Sequence, residues 1–402
     1  MDFEFSEEQL AFLAEVERFL DEHHDPEVMD PTRENMAQIC DTPARRRFMK
    51  QLGERGWLGI TWPTEYGGQA GLRGPNAEER DGVYEYLLNE ALARRGAPQI
   101  GKGVGIIGKT LIRYGSETLK EEFLPKILAN EVEFAVGYSE PNAGSDAAAM
   151  QLKATKVDGG WVLNGQKTWT TSAHFAEWYW VGARTDPDAA KHYGISLFLV
   201  PMDHPGLTVN AIWTMGDERT NDVFFDDVFV PDDYVVGELN RGFQYIAQAL
   251  DLERFTMFTS SPIQARLELL TGYVKRATRD GKPLKDDPVV RQRIATLTTE
   301  AEVARLLGLR FVYGSLKGGD PPRSEASEYK LFATELSKRL ADASMDLGGP
   351  GTQLRVGTEE APMGGRAEST YRYTVLDTIG GGTSEVQKNI IATRKLGLPK
   401  NF

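Results

Sequence analysis

The chain has one cysteine, Cys40, in 402 residues, so an intramolecular disulfide framework is excluded and a reducing compartment is expected. It has no apolar run near the ~18 residues that a membrane-spanning helix needs. The opening MDFEFSEEQL is acidic and has no basic segment leading into an apolar one, so no secretory signal is expected either. Positive charge is in short supply. Lys and Arg number 46 against 59 Asp and Glu, for a net charge of −13. A phosphate backbone needs a basic face, which argues against nucleic acid as the main partner but not against a small anion held by a few local cations. The five histidines (His23, His24, His174, His192 and His204) lack ligand-like spacing, and no metal site is expected. There is no G-x-S-x-G elbow for a nucleophilic serine. These absences describe a soluble cytoplasmic protein.

What is present is ordinary globular composition, 41% hydrophobic and 26% charged, in a chain long enough for two to three domains. Ser6 and Gln9 fit a capping box, and Leu10, Leu13, Val16 and Leu20 follow at helical spacing. FMKQLGERG, YEYLLNEALARRG and SETLKEEFLPKILANE extend the helical pattern. Near residue 135 the period changes. QLKATKV, Asp158-Gly159-Gly160, WVL, Asn164-Gly165 and QKTWTTS read as strand, turn, strand, turn, strand. YWVGART, GISLFLVP, LTVNAIW and NDVFFDDVFVP continue as short β-rich segments, and long helical patterns resume near residue 237. The expected fold is α+β: an amino-terminal all-α domain over 1–134, a central β-barrel or sandwich over 135–236, and a carboxyl-terminal four-helix bundle over 237–402.

Two glycine clusters call for separate readings. Gly103, Gly105 and Gly108 spell G-x-G-x-x-G, but among helical segments rather than after a strand, which excludes a dinucleotide fingerprint. Gly380, Gly381 and Gly382 run into Thr383, Ser384 and Glu385, where close approach of backbone to a ligand competes with simple loop flexibility. Likewise YSEPNAGSD and Trp169 fit either a polar turn and a core residue or the rim and face of an aromatic ligand.

GYSEPNAGSDAAAMQLKATKV, NGQKTWTTS, GGPG at 348–351 and GGTSEVQKNIIATRKLGLP closely resemble the motifs of acyl-CoA dehydrogenases, and GSETLKEEFLPKILANE resembles their amino-terminal domain. The resemblance covers nearly the whole chain. It implies noncovalent FAD, with Tyr138 and Ser139 facing the flavin and Trp169 and Thr171 against its other edge. It further implies Thr383 and Glu385 near the cofactor's phosphates and adenine, Ser145 at the cofactor and the acyl-CoA, and Gly348 and Gly349 against the FAD of a neighbouring subunit. A homodimer or homotetramer follows, with electron-transferring flavoprotein as the electron acceptor.

The implied reaction removes the α-proton of a thioester to a carboxylate and the β-hydride to the flavin. Many members place that carboxylate immediately before the Gly-Thr of the final motif, and here the position is Gly381. In QYIAQALDLERFTMF, Ile246, Leu250 and Met257 form an apolar stripe that Glu253 completes. On pattern alone Glu253 is either a desolvated base or half of a buried ion pair. The resemblance selects the base, because isovaleryl-CoA and long-chain acyl-CoA dehydrogenases carry theirs on this helix just before an arginine, as in Glu253-Arg254. Asp251 and Arg254 match the family's Asp-x-x-Arg at CoA. Gly381 then leaves room for a branched or bulky acyl group while its N–H serves the thioester oxygen.

Departures from the family pattern fall at Ala277, Asp280, Pro288 and Met345, positions tied to cross-subunit FAD contacts. Similar departures, with GGGT, occur in subunits of heterotetrameric enzymes that degrade steroid side chains. A flavin-sharing subunit of a heterotetramer and a non-catalytic acyl-CoA-binding subunit are therefore the alternatives.

Overall fold

The computed structural model describes residues 4–33, 39–70, 81–257, 259–315 and 323–399, without the side chains of 251–257, 315 and 323. The chain divides into two compact units, each discontinuous in sequence. One comprises Met1–Ala37, Gly82–Ala97 and Met257–Phe402; the other comprises Gln38–Asp81 and Pro98–Thr256. Helices come first, then a sheet, then helices, as the period changes predict.

The first unit is helical. α1 (Glu7–Glu22) starts at a true capping box, with the Gln9 amide donating to Ser6 Oγ at 3.1 Å and the Ser6 amide to Gln9 Oε1 at 3.0 Å. Its buried face is Phe12, Val16, Phe19 and Leu20, whereas Leu10 is 49% exposed. The expected stripe is thus rotated, because the two phenylalanines hide more apolar area than Leu10 would. α3 (Gly82–Arg95) packs on α1 and on α7 (Ser261–Arg276). α8 (Pro288–Ser315), α10 (Arg366–Asp377), α11 (Ser384–Ile390) and α7 all contact α9 (Arg323–Gly348), the spine of the unit. The α7, α8 and α9 seam is closed by Leu267, Leu270, Leu297, Leu336 and Leu340. At about 1.5–3 kcal/mol for each buried leucine, this seam is a main source of the unit's stability.

The second unit holds α2 (Pro43–Glu54), α4 (Lys109–Tyr114), α5 (Glu117–Leu128), an eight-stranded sheet and α6 (Gly242–Met257). The strands are β1 (Phe134–Gly137), β2 (Lys153–Val157), β3 (Gly160–Lys167), β4 (Trp178–Arg184), β5 (Ile195–Pro201), β6 (Leu207–Trp213), β7 (Arg219–Pro231) and β8 (Val235–Val236). Their order is β6-β7-β3-β2-β4-β5-β8, with β1 parallel to β4. Leu163, Tyr179, Val181, Phe198, Val200 and Val223 fill its core.

Two local expectations change. Asn164-Gly165 is not a hairpin turn: β3 runs through it, with a bulge between Leu163 and Gly165 against β7. Asn164 is tied to Asp227 by paired 2.9 Å hydrogen bonds and Gly165 has φ +140°, so the dipeptide bends a strand instead of ending it. QKTWTTS accordingly leaves the sheet after Lys167. Gly103–Gly108 forms a π-helical turn leading into α4, as expected of a motif outside a βαβ unit. A Cβ on Gly108 would lie 2.0 Å from Cζ2 of the fully buried Trp62, so this glycine serves packing.

Candidate active site

Two loops leave the sheet side by side. β1 hands over to Tyr138 and Ser139, β3 to Thr168 and Trp169, and the Thr168 amide donates to the Ser139 carbonyl at 3.0 Å. The Tyr138 hydroxyl accepts a 2.9 Å hydrogen bond from Trp180 Nε1, which fixes its ring. Beyond it, Glu140 and Ala143 exchange backbone hydrogen bonds of 2.9 and 3.0 Å and close the Pro-Asn turn. Ser145 follows on the exposed part of that loop.

The Trp169 loop buries most of its side chains and turns one large one outward. Thr170 is fully buried, its hydroxyl 2.7 Å from that of Tyr179. Its backbone N–H donates to the Asn221 carbonyl, and Asn221 Nδ2 donates to its carbonyl, both at 2.9 Å. With Thr170 anchored inward and Thr168 and Ser172 also buried, Trp169 is the side chain left facing solvent. Trp169 has φ +57°, Ser172 φ +75°, and the indole is 60% exposed. A positive φ is strained for a bulky residue, and a left-handed, solvent-facing tryptophan marks a position held for something other than the core. Nearby His174 Nδ1 lies 3.2 Å from Asn221 Nδ2, and burial, more than the charge of Arg219, pulls its pKa down.

A buried cation stands behind both loops. Lys167 Nζ lies 2.7 Å from Glu140 Oε1 and 3.3 Å from the Tyr138 carbonyl, and its side chain is fully buried. The Glu140 carboxylate also accepts the Gln151 and Leu152 amides at 2.6 and 2.8 Å. Burial lowers the Lys167 pKa to about 8 against the upward pull of Glu140, so the ammonium keeps its proton at neutral pH. Sequence reasoning did not single out this pair. Its only signal was a lysine at the end of an otherwise half-buried strand.

In the helical unit, Gly381 and Gly382 have φ +64° and +90°, so the backbone itself demands glycine there. The loop they form is gripped from below. Buried Lys330 donates to the carbonyls of Asp377 and Gly382 at 2.9 and 2.8 Å, and Gln387 Nε2 donates to those of Gly381 and Gly382 at 3.2 and 3.1 Å. Thr383 caps α11 by accepting the Val386 amide at 3.2 Å. Glu385 is exposed in the first turn, where its own amide, then the Thr383 hydroxyl, hold its carboxyl below the usual range. Gly348 closes α9, where a Cβ would sit 2.1 Å from Thr352 Cγ2, and Gly349 follows at φ +72°. Arg279, next to Asp280, donates to the Asp346 and Leu347 carbonyls at 3.0 Å and so caps that helix end.

α6 carries Asp251, Glu253 and Arg254, whose side chains lie outside the described residues. Its first half is anchored within the sheet unit. Ile246 is fully buried, in reach of Gly182 on β4, and Tyr245 stacks on Tyr114 at 4.3 Å. The Tyr114 hydroxyl donates to Gln248.

The chemistry on display in the sheet unit suits a flavin. Hydroxyls of Tyr138, Ser139 and Thr171 stand on the same pair of loops as an exposed indole, and an isoalloxazine has a polar rim and an apolar face. Among the described residues no group of acidic, histidine or cysteine side chains could hold a metal ion, and no helix is long and apolar enough to cross a membrane.

Comparison with known proteins agrees. Residues 6–131, 135–228 and 240–396 match the family models for the N-terminal, middle and C-terminal domains of acyl-CoA dehydrogenases. Acyl-CoA dehydrogenase FadE26 of Mycobacterium tuberculosis is 33% identical over 88% of this chain and 88% of its own. The mitochondrial isovaleryl-CoA dehydrogenase of Oryza sativa is 32% identical over 87% of this chain and 83% of its own. Among solved structures, the ChsE4-ChsE5 complex from Mycobacterium tuberculosis contains a chain that superposes with a TM-score of 0.86 at 31% identity, covering 100% of both. Members of this group are oxidoreductases that use FAD. The protein belongs to the acyl-CoA dehydrogenase family.

Proposed function

We propose that this protein converts an acyl-CoA thioester to the 2-enoyl-CoA, with Glu253 taking the α-proton. Bound FAD supplies the acceptor for the β-hydride, at N5 of its flavin ring. The observation that carries the reading is the exposed Trp169 indole together with the half-buried Tyr138, Ser139 and Thr171, on loops joined by the Thr168–Ser139 hydrogen bond, with the helix of Glu253 rooted in the same unit. Tyr138 and Ser139 bind the polar rim of the ring, and Trp169 covers it from water. Asp251 and Arg254 hold CoA, with Ser145 contributing to both ligands. For Gly381, Thr383, Glu385, Gly348 and Gly349 the assigned roles rest on the resemblance: the Gly381 N–H at the thioester oxygen, the others at FAD. We take the domains to be 1–134, 135–236 and 237–402, the electron acceptor to be electron-transferring flavoprotein, and the single cysteine to fit a cytoplasmic enzyme.

The purified protein is expected to be yellow and to retain about one FAD per chain, measured by absorbance after denaturation. Protein that stays colourless with added FAD until an unlike chain is supplied would instead favour a heteromeric enzyme. That second reading has its own support: the likeness to a chain of the ChsE4-ChsE5 complex, and Ala277, Asp280, Pro288 and Met345 where the family pattern has other residues. A non-catalytic subunit fits less well, because the Glu253-Arg254 pair is retained.

Arg254→Ala is expected to raise KM for acyl-CoA about 10-fold or more while changing kcat little, since a cation beside CoA acts in ground and transition states alike. Saturation kinetics with an unchanged KM and a reduced kcat would contradict this assignment.

A further inference from the structure

We propose that Lys167 is a positioning residue, whose buried ammonium locks the Tyr138–Ser139 loop to the Trp169 loop and so sets the geometry in which the chain receives the flavin. The inference rests on the flavin reading above and assigns a residue which that reading leaves out. Lys167 is the last residue of β3, two positions before Trp169. Its Nζ reaches across to the Tyr138 carbonyl at 3.3 Å and to Glu140 Oε1 at 2.7 Å, with Met150 Sδ at 3.8 Å. Glu140 in turn collects the Gln151 and Leu152 amides, so one ion pair fastens both ends of the loop from 138 to 152. The pair is nearly sealed, with Lys167 0% and Glu140 9% exposed.

Stability alone is a poor reason for such a pair. Desolvating two charges roughly cancels their attraction, and apolar replacements are often as stable. What the pair adds is direction: one cation at fixed distances from two loops that are also joined through the backbone by the Thr168 amide and the Ser139 carbonyl. A cation holding the carbonyl just before Ser139 controls where the Tyr138 ring and the Ser139 amide point, while its own backbone carries Thr168 and Trp169.

The test uses the FAD-loaded protein and the double variant K167M/E140Q, which removes both charges together and leaves neither unpaired. Its thermal midpoint without FAD is expected to stay near that of the parent protein. Its FAD dissociation constant should rise at least about 10-fold, and bound-flavin fluorescence should increase as the Trp169 indole loses its fixed place. A double variant that keeps the parent's FAD affinity and fluorescence would overturn the proposal. The unaltered protein provides a second measurement that does not depend on a variant folding. The groups facing Lys167 are Glu140 and Arg184, and its own proton leaves near pH 8. FAD should therefore dissociate faster as the pH rises from about 7 to about 9.5 and Lys167 loses its proton. An FAD dissociation rate constant across that range would also overturn the proposal. Failure of the unaltered protein to take up FAD under any condition is a different result, which would sink the flavin reading itself.

Discussion

Glu253→Gln is expected to slow reduction of the bound flavin by acyl-CoA about 100-fold or more, while FAD and acyl-CoA still bind. Glutamine keeps the shape of the side chain and removes the proton acceptor. The loss should therefore appear in the single-turnover bleaching of oxidised flavin, where chemistry is separated from product release. Position 381 offers no substitute in the natural chain, because it is a glycine with φ +64°. That backbone conformation costs a residue with a Cβ roughly 1–2 kcal/mol. Two demands meet at this glycine. The turn requires a left-handed residue, and the proposed chemistry requires room beside the α-carbon. Reduction of the Glu253→Gln flavin at the parent rate would place the base elsewhere and remove the reason for that room.

Gly108→Ala is expected to destabilise the protein by about 2–3 kcal/mol, the upper end of what overpacking usually costs. Two effects oppose each other. In a helical segment alanine is ordinarily better than glycine by about 1 kcal/mol. Here the new methyl would lie 2.0 Å from Trp62 Cζ2 and 2.3 Å from Cη2. The indole is fully buried and its Nε1 donates to the Val104 carbonyl at 3.3 Å, so it has no open space to swing into. The clash should win. A denaturation midpoint equal to or above that of the parent protein would show that Trp62 has more freedom than its surroundings suggest.

The legible parts of this sequence are those in which a local rule and the tertiary structure agree. Ser6 and Gln9 satisfy each other across a single turn, and no distant residue is needed to read them. Leu10 was misleading because helical spacing admits neighbouring stripes, and two phenylalanines outweighed it. Asn164-Gly165 has the composition of a hairpin turn, yet its meaning is fixed by Asp227, more than sixty residues away, which turns the pair into a bulge. The site divides in the same way. Contiguous motifs, YSEPNAGSD and KTWTTS, lead to the two loops that leave the sheet. The supports behind them do not announce themselves, since Lys167, Asn221 and Lys330 act on partners from 27 to 52 positions distant. A buried lysine in sequence looks like any other lysine. Only burial and a named partner separate it from the solvated majority.

The central claim is that Glu253 removes the α-proton, and exchange at that carbon tests it apart from hydride transfer. The protein would be incubated anaerobically, in its FAD-loaded form, with a 3-thia-acyl-CoA deuterated at the α-carbon. The sulfur at the β-position leaves no hydride to give up, so loss of label reports deprotonation alone. The parent protein should wash the deuterium into water, and Glu253→Gln should do so at least about 100-fold more slowly. Equal washout from the two proteins would contradict the assignment.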